Sequence, residues 1–331
     1  MKLNALLKTL GFLALAATPI VAGTAPAPKN PVAPAPENDD LGINATLGYD
    51  SSYVWRGLNF GSNWVSAGLN GDVLLIGGAG EDGAGSTSLL WDVNWGFLAG
   101  DNDSFWNNSA FPLVGDNNGD VSFQRLQMAA AFAHDFGPAT VSLGYRYYYN
   151  MGQLADSTPL GDDTVGMNDT SEINLAVATS LGPIDLAFNN VYDITNGGFY
   201  FDVTASTTIA ITDAISIVPS ANVGYVSNYT WQFTPAMVNA FKGGAAQFGG
   251  GGFAAGAGNS VSGWTAANLR LAFPVKLNSR ATLTPYVAVN IPLGATSQMA
   301  QDTQNGSFGG FNQSTPFETV WYAGAALTVR F

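Results

Sequence analysis

The sequence is poor in charged residues. Only 11% of its 331 residues are Asp, Glu, Lys or Arg, whereas a soluble globular domain has about 25%. Such a chain cannot cover a water-facing surface in the usual way, and its aromatic content of 12% is too high for a disordered chain. The formal net charge of -13 also argues against nucleic acid as a partner, because phosphates attract Lys and Arg.

Cysteine is absent and histidine occurs once. The sequence therefore offers no disulfide bond, no thiolate nucleophile and no zinc–sulfur site. The single histidine, His134, begins the segment 134–138 (HDFGP), which is typical of a tight turn. A Ser-His-Asp site would need this histidine beside a nucleophile and a carboxylate. We therefore predict that the protein is not an enzyme and uses no cofactor.

A long apolar run is also missing after the N-terminal segment. No later stretch has the roughly 18 consecutive apolar residues of a spanning helix. Lys2 and Lys8 precede a short apolar segment, residues 10–22, which is followed by small residues, the three-part pattern of a secretory signal peptide. We assign residues 1–27 to the signal peptide and the Pro- and Ala-rich residues 28–40 to an extended tether. Residues 41–331 are predicted to form the folded domain.

Apolar and polar residues alternate along the rest of the chain in segments of about ten residues. The first segment places Ile43, Ala45, Leu47, Tyr49, Tyr53 and Trp55 on one face, and Asn44, Thr46, Asp50, Ser52 and Arg56 on the other. Twelve such segments are separated alternately by short turns and by long polar or Gly-rich loops. This pattern predicts an all-β protein, a transmembrane antiparallel up-and-down β-barrel of about 12 strands.

Two alternatives to this fold stay open. A soluble all-β sandwich also alternates, although its outer face would carry the charges that this chain lacks. The strand number becomes ten or fourteen if segment 62–76 is miscounted or if residues 228–260 contain a hairpin. Residues 243–258 are predicted to form a flexible Gly-rich loop, and whether the 228–260 region plugs the lumen is left open.

Most charged residues of the strands have the parity opposite to the apolar ones. A Lys or Arg that faces lipid costs about 2–4 kcal/mol at the membrane midplane, so we predict that these charges line a water-filled lumen. The predicted pore-lining residues are Asp50, Arg56, Asp92, Arg125, Arg146, Glu172, Asp185, Asp202, Arg270 and Arg330. Because acids and arginines are equal in number here and the excess acid lies in loops, we expect only mild cation selectivity.

Aromatic residues of outward parity predict a girdle at the two membrane interfaces. The girdle residues are Trp55, Trp91, Trp95, Trp106, Trp231, Trp264, Trp321, Tyr145, Tyr147 and Tyr149. Tyr148, Tyr286 and Tyr322 have inward parity, which makes them candidates for contact with a solute. Stacking of sugars on the outward rings stays open as an alternative.

One loop has an oxygen-rich motif. Residues 116–120 (DNNGD) are similar to the start of a Ca²⁺ loop, but Gln127 stands where that loop requires a bidentate Glu. We therefore predict no metal site.

Two segments resemble those of known outer-membrane proteins. From Trp321 to Phe331 the chain has apolar residues at every second position and ends on an aromatic residue, which resembles the assembly signal of bacterial outer-membrane barrels. Residues 47–57 (LGYDSSYVWRG) resemble the opening S-x-Y-V-x-R-G strand of TorF-type porins. These resemblances imply a passive channel of the outer membrane and recognition of Phe331 by the barrel-assembly machinery.

The sequence thus predicts a porin that is surrounded by outer-membrane lipid in a Gram-negative-type bacterium. The protein would reach this membrane by secretion through the inner membrane and would pass small hydrophilic solutes or ions by diffusion. The alternative is a plugged or structural barrel that presents its long loops to partners.

Overall fold

The computed structural model describes residues 41–77, 85–99, 123–151, 169–232, 260–297 and 319–331. In this part of the chain twelve long antiparallel strands form one closed barrel, which confirms the predicted fold class and strand number. The long strands are β1 (Ile43–Trp55), β2 (Leu58–Ile76), β3 (Thr87–Leu98), β4 (Gln124–Asp135), β5 (Ala139–Met151), β6 (Thr170–Leu181), β7 (Ile184–Asp193), β8 (Phe199–Thr207), β10 (Ser216–Tyr229), β11 (Val261–Ala272), β13 (Ala281–Pro292) and β14 (Val320–Arg330). The short strands β9 (Ile209–Ala210) and β12 (Val275–Lys276) have two residues each.

The strands of the wall follow one another in chain order. Each long strand pairs antiparallel with the next one, and β11 pairs directly with β13. The barrel closes where β1 pairs with β14. At this seam the Leu41 nitrogen donates to the Phe331 carbonyl oxygen over 2.7 Å, and the Phe331 nitrogen donates to the Ile43 carbonyl oxygen over 2.9 Å. A closed ladder leaves no strand edge to be solvated, which is what a lipid environment requires.

The outer face of the barrel is apolar. Leu47 and Phe132 are 62% and 61% exposed there. Further exposed side chains of the same parity include Leu69, Val93, Met128, Leu143, Ile173, Leu175, Phe188, Val203, Leu269, Val287 and Ile291. A soluble protein rarely exposes so large a contiguous apolar surface. Within the described ranges, no helix is long and apolar enough to cross a membrane.

The two ends of the barrel differ. At one end, called the turn end, short connections such as Gly182–Pro183 and residues 277–280 join the strands. At the other, called the loop end, the connections at 100–122, 152–168, 233–259 and 298–318 lie outside the described residues. The same holds for residues 1–40, for Trp106, for the motif at 116–120 and for the Gly-rich loop. The signal peptide, the tether and the question of a plug from the 228–260 region therefore stay predictions.

The predicted outward placement of Tyr53 and Trp55 is wrong. The pairing of β1 with β2 shifts register between Ser52 and Val54, and beyond this bulge Tyr53, Val54 and Trp55 are all buried in succession. A two-residue turn follows at Arg56 and Gly57, with positive φ values of 49° and 85°, as tight hairpins require. The end of this hairpin turns inward, so both parities are enclosed. We call residues 53–60 the hairpin tip.

A glycine makes room for one large side chain beside the tip. Trp64 of β2 is fully buried and lies over Gly96 of β3, where a Cβ atom would collide with the indole ring.

The half of the lumen near the turn end is lined by small side chains. The buried ones include Ala129, Ala131, Ala133, Ala176, Ala178 and Ala326. The large side chains that point into the lumen are therefore concentrated toward the loop end.

Candidate functional site in the lumen

The centre of the loop half is an ion pair across the lumen. Arg56 at the end of the hairpin tip donates from Nη1 to Glu172 Oε1 over 2.6 Å and from Nη2 to Oε2 over 2.7 Å. Glu172 lies on β6, where the predicted inward parity is confirmed, and the two side chains are 2% and 0% exposed. A bidentate pair of this kind fixes the guanidinium in one plane. It ties the tip to the distant wall of the barrel.

Aromatic rings enclose the Arg56 guanidinium. Its Cζ atom lies 4.5 Å from the ring centroid of Trp55, 4.8 Å from that of Tyr200 and 5.5 Å from that of Tyr229. Nη1 also donates to the Tyr229 hydroxyl, and this hydroxyl donates to Glu172 Oε1 over 3.3 Å. Rings at these distances attract a cation through their quadrupoles. We call Glu172, Tyr200 and Tyr229 the arginine cage; all three belong to the wall.

The backbone of the tip is anchored as well. Trp231, which follows β10, donates from Nε1 to the Arg56 carbonyl oxygen over 3.1 Å. Asn290 of β13 donates from Nδ2 to the Gly57 carbonyl oxygen over 2.9 Å. Gly57 packs so closely on Ala266 of β11 that a Cβ atom at Gly57 would lie 2.8 Å from the Ala266 Cβ. Besides the Arg56 side chain, the backbone of the tip is thus held by the segment after β10, by β13 and by β11.

A second arginine, Arg125, forms hydrogen bonds with the hairpin tip and with its surroundings. Arg125 of β4 is 1% exposed and donates to Asn150 Oδ1 over 2.8 Å, to the Tyr53 hydroxyl over 2.9 Å and to Gln232 Oε1 over 3.0 Å. Its Cζ atom also lies 4.4 Å from the ring centroid of Trp55. Arg125 therefore connects β4, β5 and the tip.

Stacked rings fill the remaining space at this level. Tyr53 and Trp64 stack at a centroid distance of 4.0 Å and an interplanar angle of 11°. Phe60 and Phe123 stack at 5.9 Å, and Trp55 meets Tyr148 edge-on at 5.8 Å. Every one of these side chains is at most 2% exposed. Aromatic rings are therefore densely packed in the loop half of the lumen.

A third arginine shares the same carboxylate. Arg146 of β5 places Nη1 4.0 Å from Glu172 Oε2 and donates from Nη1 to the Tyr148 hydroxyl over 3.3 Å. Glu172 is therefore paired at short range with Arg56 and more distantly with Arg146. Of these two contacts, only the one with Arg56 involves the hairpin tip, because Arg146 belongs to strand β5 of the wall.

Four other predicted lumen carboxylates lie among neutral donors. Tyr286 donates to Asp50, Gln127 to Asp92 over 3.2 Å, Ser180 to Asp185 over 2.8 Å, and Asn189 and Asn222 to Asp202 over 3.0 and 3.1 Å. Among the residues that the structure describes, none of the four carboxylates is within ion-pair distance of an arginine or lysine. The strongly paired charges of the lumen are thus those at the hairpin tip.

The last two predicted pore-lining residues differ from each other. Arg270 of β11 is half-buried, and its Cζ atom lies 3.9 Å from the ring centroid of Tyr286. Arg330 is exposed at the turn end, where its backbone nitrogen donates to the Arg280 carbonyl oxygen over 2.8 Å. The role of all ten residues in lining a pore stays a prediction. The structure brings Arg56, Arg125, Arg146 and Glu172 together at the hairpin tip, and none of the other six is within ion-pair distance of this group in the described part of the chain.

The outward placement that a girdle requires is confirmed for only some of the predicted aromatic residues, and their position at the membrane interfaces stays a prediction. Trp95, Trp264 and Trp321 are exposed, as are Tyr145 and Tyr149, whereas Trp91 and Tyr147 are half-buried. Trp55 and Trp231 are fully buried instead, because one belongs to the tip and the other holds the tip. The inward placement of Tyr148 and Tyr286 is confirmed, and Tyr322 is half-buried beside Tyr286.

Sequence reasoning missed several residues of the site. Tyr200, Tyr229 and Trp64 were not singled out, and Arg56 was not matched with Glu172. One signal in the sequence could have revealed the tip. Residues 53–55 (YVW) are three large apolar residues in succession, so both parities are apolar, which is typical of a segment enclosed on both faces.

Metal binding and the surroundings of the single histidine can both be assessed in the described residues. No group of three or more His, Asp or Glu side chains there could hold a metal ion. His134 lies at the turn end, where its Nδ1 atom shares a 2.8 Å hydrogen bond with the Thr87 hydroxyl and its ring meets Phe136 edge-on. The described part of the chain is thus a closed barrel that is apolar outside, charged inside and densely packed with aromatic rings toward the loop end.

No protein-family model and no curated protein matches the sequence, but solved structures do match it. A KdgM porin aligns over 87% of this chain and 99% of its own, with 7% identity and a TM-score of 0.41. An outer membrane channel from Pseudomonas putida F1 aligns over 91% and 100%, with 10% identity and a TM-score of 0.46. LpxR from Salmonella typhimurium aligns over 87% and 100%, with 8% identity and a TM-score of 0.45. Similarities this distant indicate no function, and the resemblance to TorF-type porins stays a prediction.

Proposed function

We propose that the protein is an outer-membrane channel through which small hydrophilic solutes or ions diffuse down their gradients. The observation that carries this proposal is the inverted polarity of the closed barrel. Aliphatic and aromatic side chains cover its outer face, while Asp, Arg, Asn and Thr side chains point inward. Lipid solvates the apolar outer face, and water or a polar solute must solvate the polar inner face.

We infer that the hairpin tip closes such a channel. Trp55 and Leu58 are 0% exposed, and on this proposal solute passes the loop half when the tip withdraws.

A second candidate is a permanently plugged barrel that serves as a structural or interaction protein. The observation that favours it is the number of contacts that hold the tip, from Glu172, Trp231 and Asn290. Both candidates place the protein in the outer membrane, with no chemical step and no cofactor. In both, the signal peptide at residues 1–27 directs secretion and the barrel-assembly machinery recognises Phe331.

Planar-bilayer recording separates the two candidates. The mature protein is reconstituted in a lipid bilayer in KCl, and heat-dependent gel mobility verifies that the barrel is folded. We expect discrete current steps that are brief and rare, because the tip blocks the lumen most of the time, with mild cation preference in the reversal potential. Folded protein that never conducts, at any applied voltage, would refute the channel and leave the plugged barrel.

A further inference from the structure

The arginine cage has the composition of a cation-binding site. Glu172 comes from β6, Tyr200 from β8 and Tyr229 from β10, so the cage is part of the wall and does not depend on the hairpin tip for its position. A carboxylate flanked by aromatic rings is suited to bind a cation, through charge-assisted hydrogen bonds and through the faces of the rings. Arg56 reaches this cage from the hairpin between β1 and β2, as a separate ligand would.

The charges around the cage favour a cation after Arg56 has left. Glu172 is paired with Arg56 at 2.6 and 2.7 Å, whereas the Arg146 Nη1 atom lies 4.0 Å from Glu172 Oε2. Withdrawal of Arg56 therefore removes the nearest positive charge from a buried carboxylate, which is costly to leave unpaired. A cationic solute would replace that charge.

The shape of the vacated position selects a planar cation. Glu172 accepts two parallel N–H donors, at 2.6 and 2.7 Å, and the Tyr200 ring lies beside the guanidinium carbon at 4.8 Å. A guanidinium group supplies both donors from one rigid plane, whereas an ammonium group is a point charge without this geometry. The cage is therefore better matched to guanidinium than to a simple amine.

We propose that Glu172, Tyr200 and Tyr229 bind the guanidinium group of a small solute, and that Arg56 occupies this site as a tethered competitor. This inference deepens the proposed channel function and rests on it for its role in permeation. Solute that binds the cage excludes Arg56 and so stabilises the withdrawn tip. Binding and opening are then coupled, because the solute favours the state in which the cage is free.

Methylguanidinium is the probe for this site. Its binding to the folded full barrel in detergent is measured by titration calorimetry for the wild type and for Arg56→Ala. A tethered ligand acts at an effective concentration of order millimolar or above. We expect methylguanidinium to bind Arg56→Ala at least about ten-fold more tightly than the wild type, because the competitor is gone.

Two further variants control the measurement. Arg280→Ala removes an exposed arginine of a turn and is expected to bind methylguanidinium as the wild type does. Arg56→Ala combined with Glu172→Gln removes the cage carboxylate, and binding is expected to be lost. If Arg56→Ala shows no heat-dependent gel mobility and so does not fold, Arg56→Gln keeps more of the side-chain volume and takes its place with the same expectation.

The outcomes distinguish this inference from the channel proposal. Equal affinity of wild type and Arg56→Ala, or binding that survives Glu172→Gln, overturns the cage as a guanidinium site. Calorimetry needs no conductance, so a barrel that binds methylguanidinium through Glu172 but never conducts supports the site and refutes the channel. A conducting Arg56→Ala barrel that methylguanidinium neither binds nor blocks supports the channel and refutes the site.

Discussion

Replacing Glu172 by glutamine tests whether the ion pair holds the hairpin tip. The substitution keeps the shape of the side chain but removes its charge, and it leaves Arg56 buried with 2.6 and 2.7 Å contacts to a neutral group. Breaking one side of a buried pair costs about 3–5 kcal/mol. Glutamine still accepts one hydrogen bond, so we expect the lower end, about 3 kcal/mol, in the free energy of unfolding.

A double-mutant cycle isolates the pair from the rest of the tip. Arg56→Ala with Glu172→Gln removes both charges, so the double variant is expected to be more stable than the sum of the single losses predicts. A coupling energy of about 2–3 kcal/mol is expected, since residues in direct contact couple within this range. Urea unfolding in lipid vesicles gives these values from tryptophan fluorescence, and the buried Trp55 lies in the segment that moves.

A matched control comes from another carboxylate. Asp185 is also buried but accepts its hydrogen bond from the neutral Ser180, at 2.8 Å, so Asp185→Asn is expected to cost at most about 1 kcal/mol. Additive losses in the cycle, or a loss for Glu172→Gln no larger than that for Asp185→Asn, would refute the reasoning, because the tip would then be held by its aromatic packing alone.

Three further predictions follow from the wall and from the tip. Leu143→Arg places a charge on the outer face, where Leu143 is 57% exposed, and is expected to cost up to about 2–4 kcal/mol in vesicle unfolding; a neutral effect would mean that this face is not in lipid. Gly96→Val drives a side chain into Trp64 and is expected to destabilise the barrel by about 1–3 kcal/mol, whereas unchanged stability would place Trp64 elsewhere. Brominated lipid is expected to quench the fluorescence of the exposed Trp264 but not that of the buried Trp231. Trp264→Phe is therefore expected to reduce the quenched fraction of fluorescence, and Trp231→Phe the unquenched fraction. The reverse result would show that Trp231 faces lipid and Trp264 does not.

The alternation of residues predicts the wall well, because a lipid-facing barrel imposes one rule on every strand. Each second side chain meets lipid and must be apolar, so Leu47 and Leu143 are assigned correctly from parity alone. The same rule gives the strand number, and with it the pairing of β1 with β14 that closes the sheet. The inward direction of Glu172 and Arg146 follows in the same way.

Parity cannot predict where a strand leaves the wall. Between Ser52 and Val54 the pairing becomes irregular, because β2 contributes one residue more than β1. Past this point the end of the hairpin is enclosed on both faces, so Trp55 is buried although its parity is outward. The partner of Arg56 is equally hidden, because Glu172 is 116 residues away and only the curvature of the closed sheet brings the two together. The site is therefore a property of the barrel as a whole, whereas the wall is a property of its single strands.

The hairpin tip also constrains the order in which the protein can be built. The tip is part of the first pair of long strands, yet its seat consists of Glu172, Tyr229, Trp231 and Asn290, which come much later in the chain. Until those later strands have joined the sheet, the tip has no binding partners and Trp55 has no enclosure. Docking of the tip is thus tied to a late stage of assembly, and a barrel that closes before the tip docks starts in the withdrawn state.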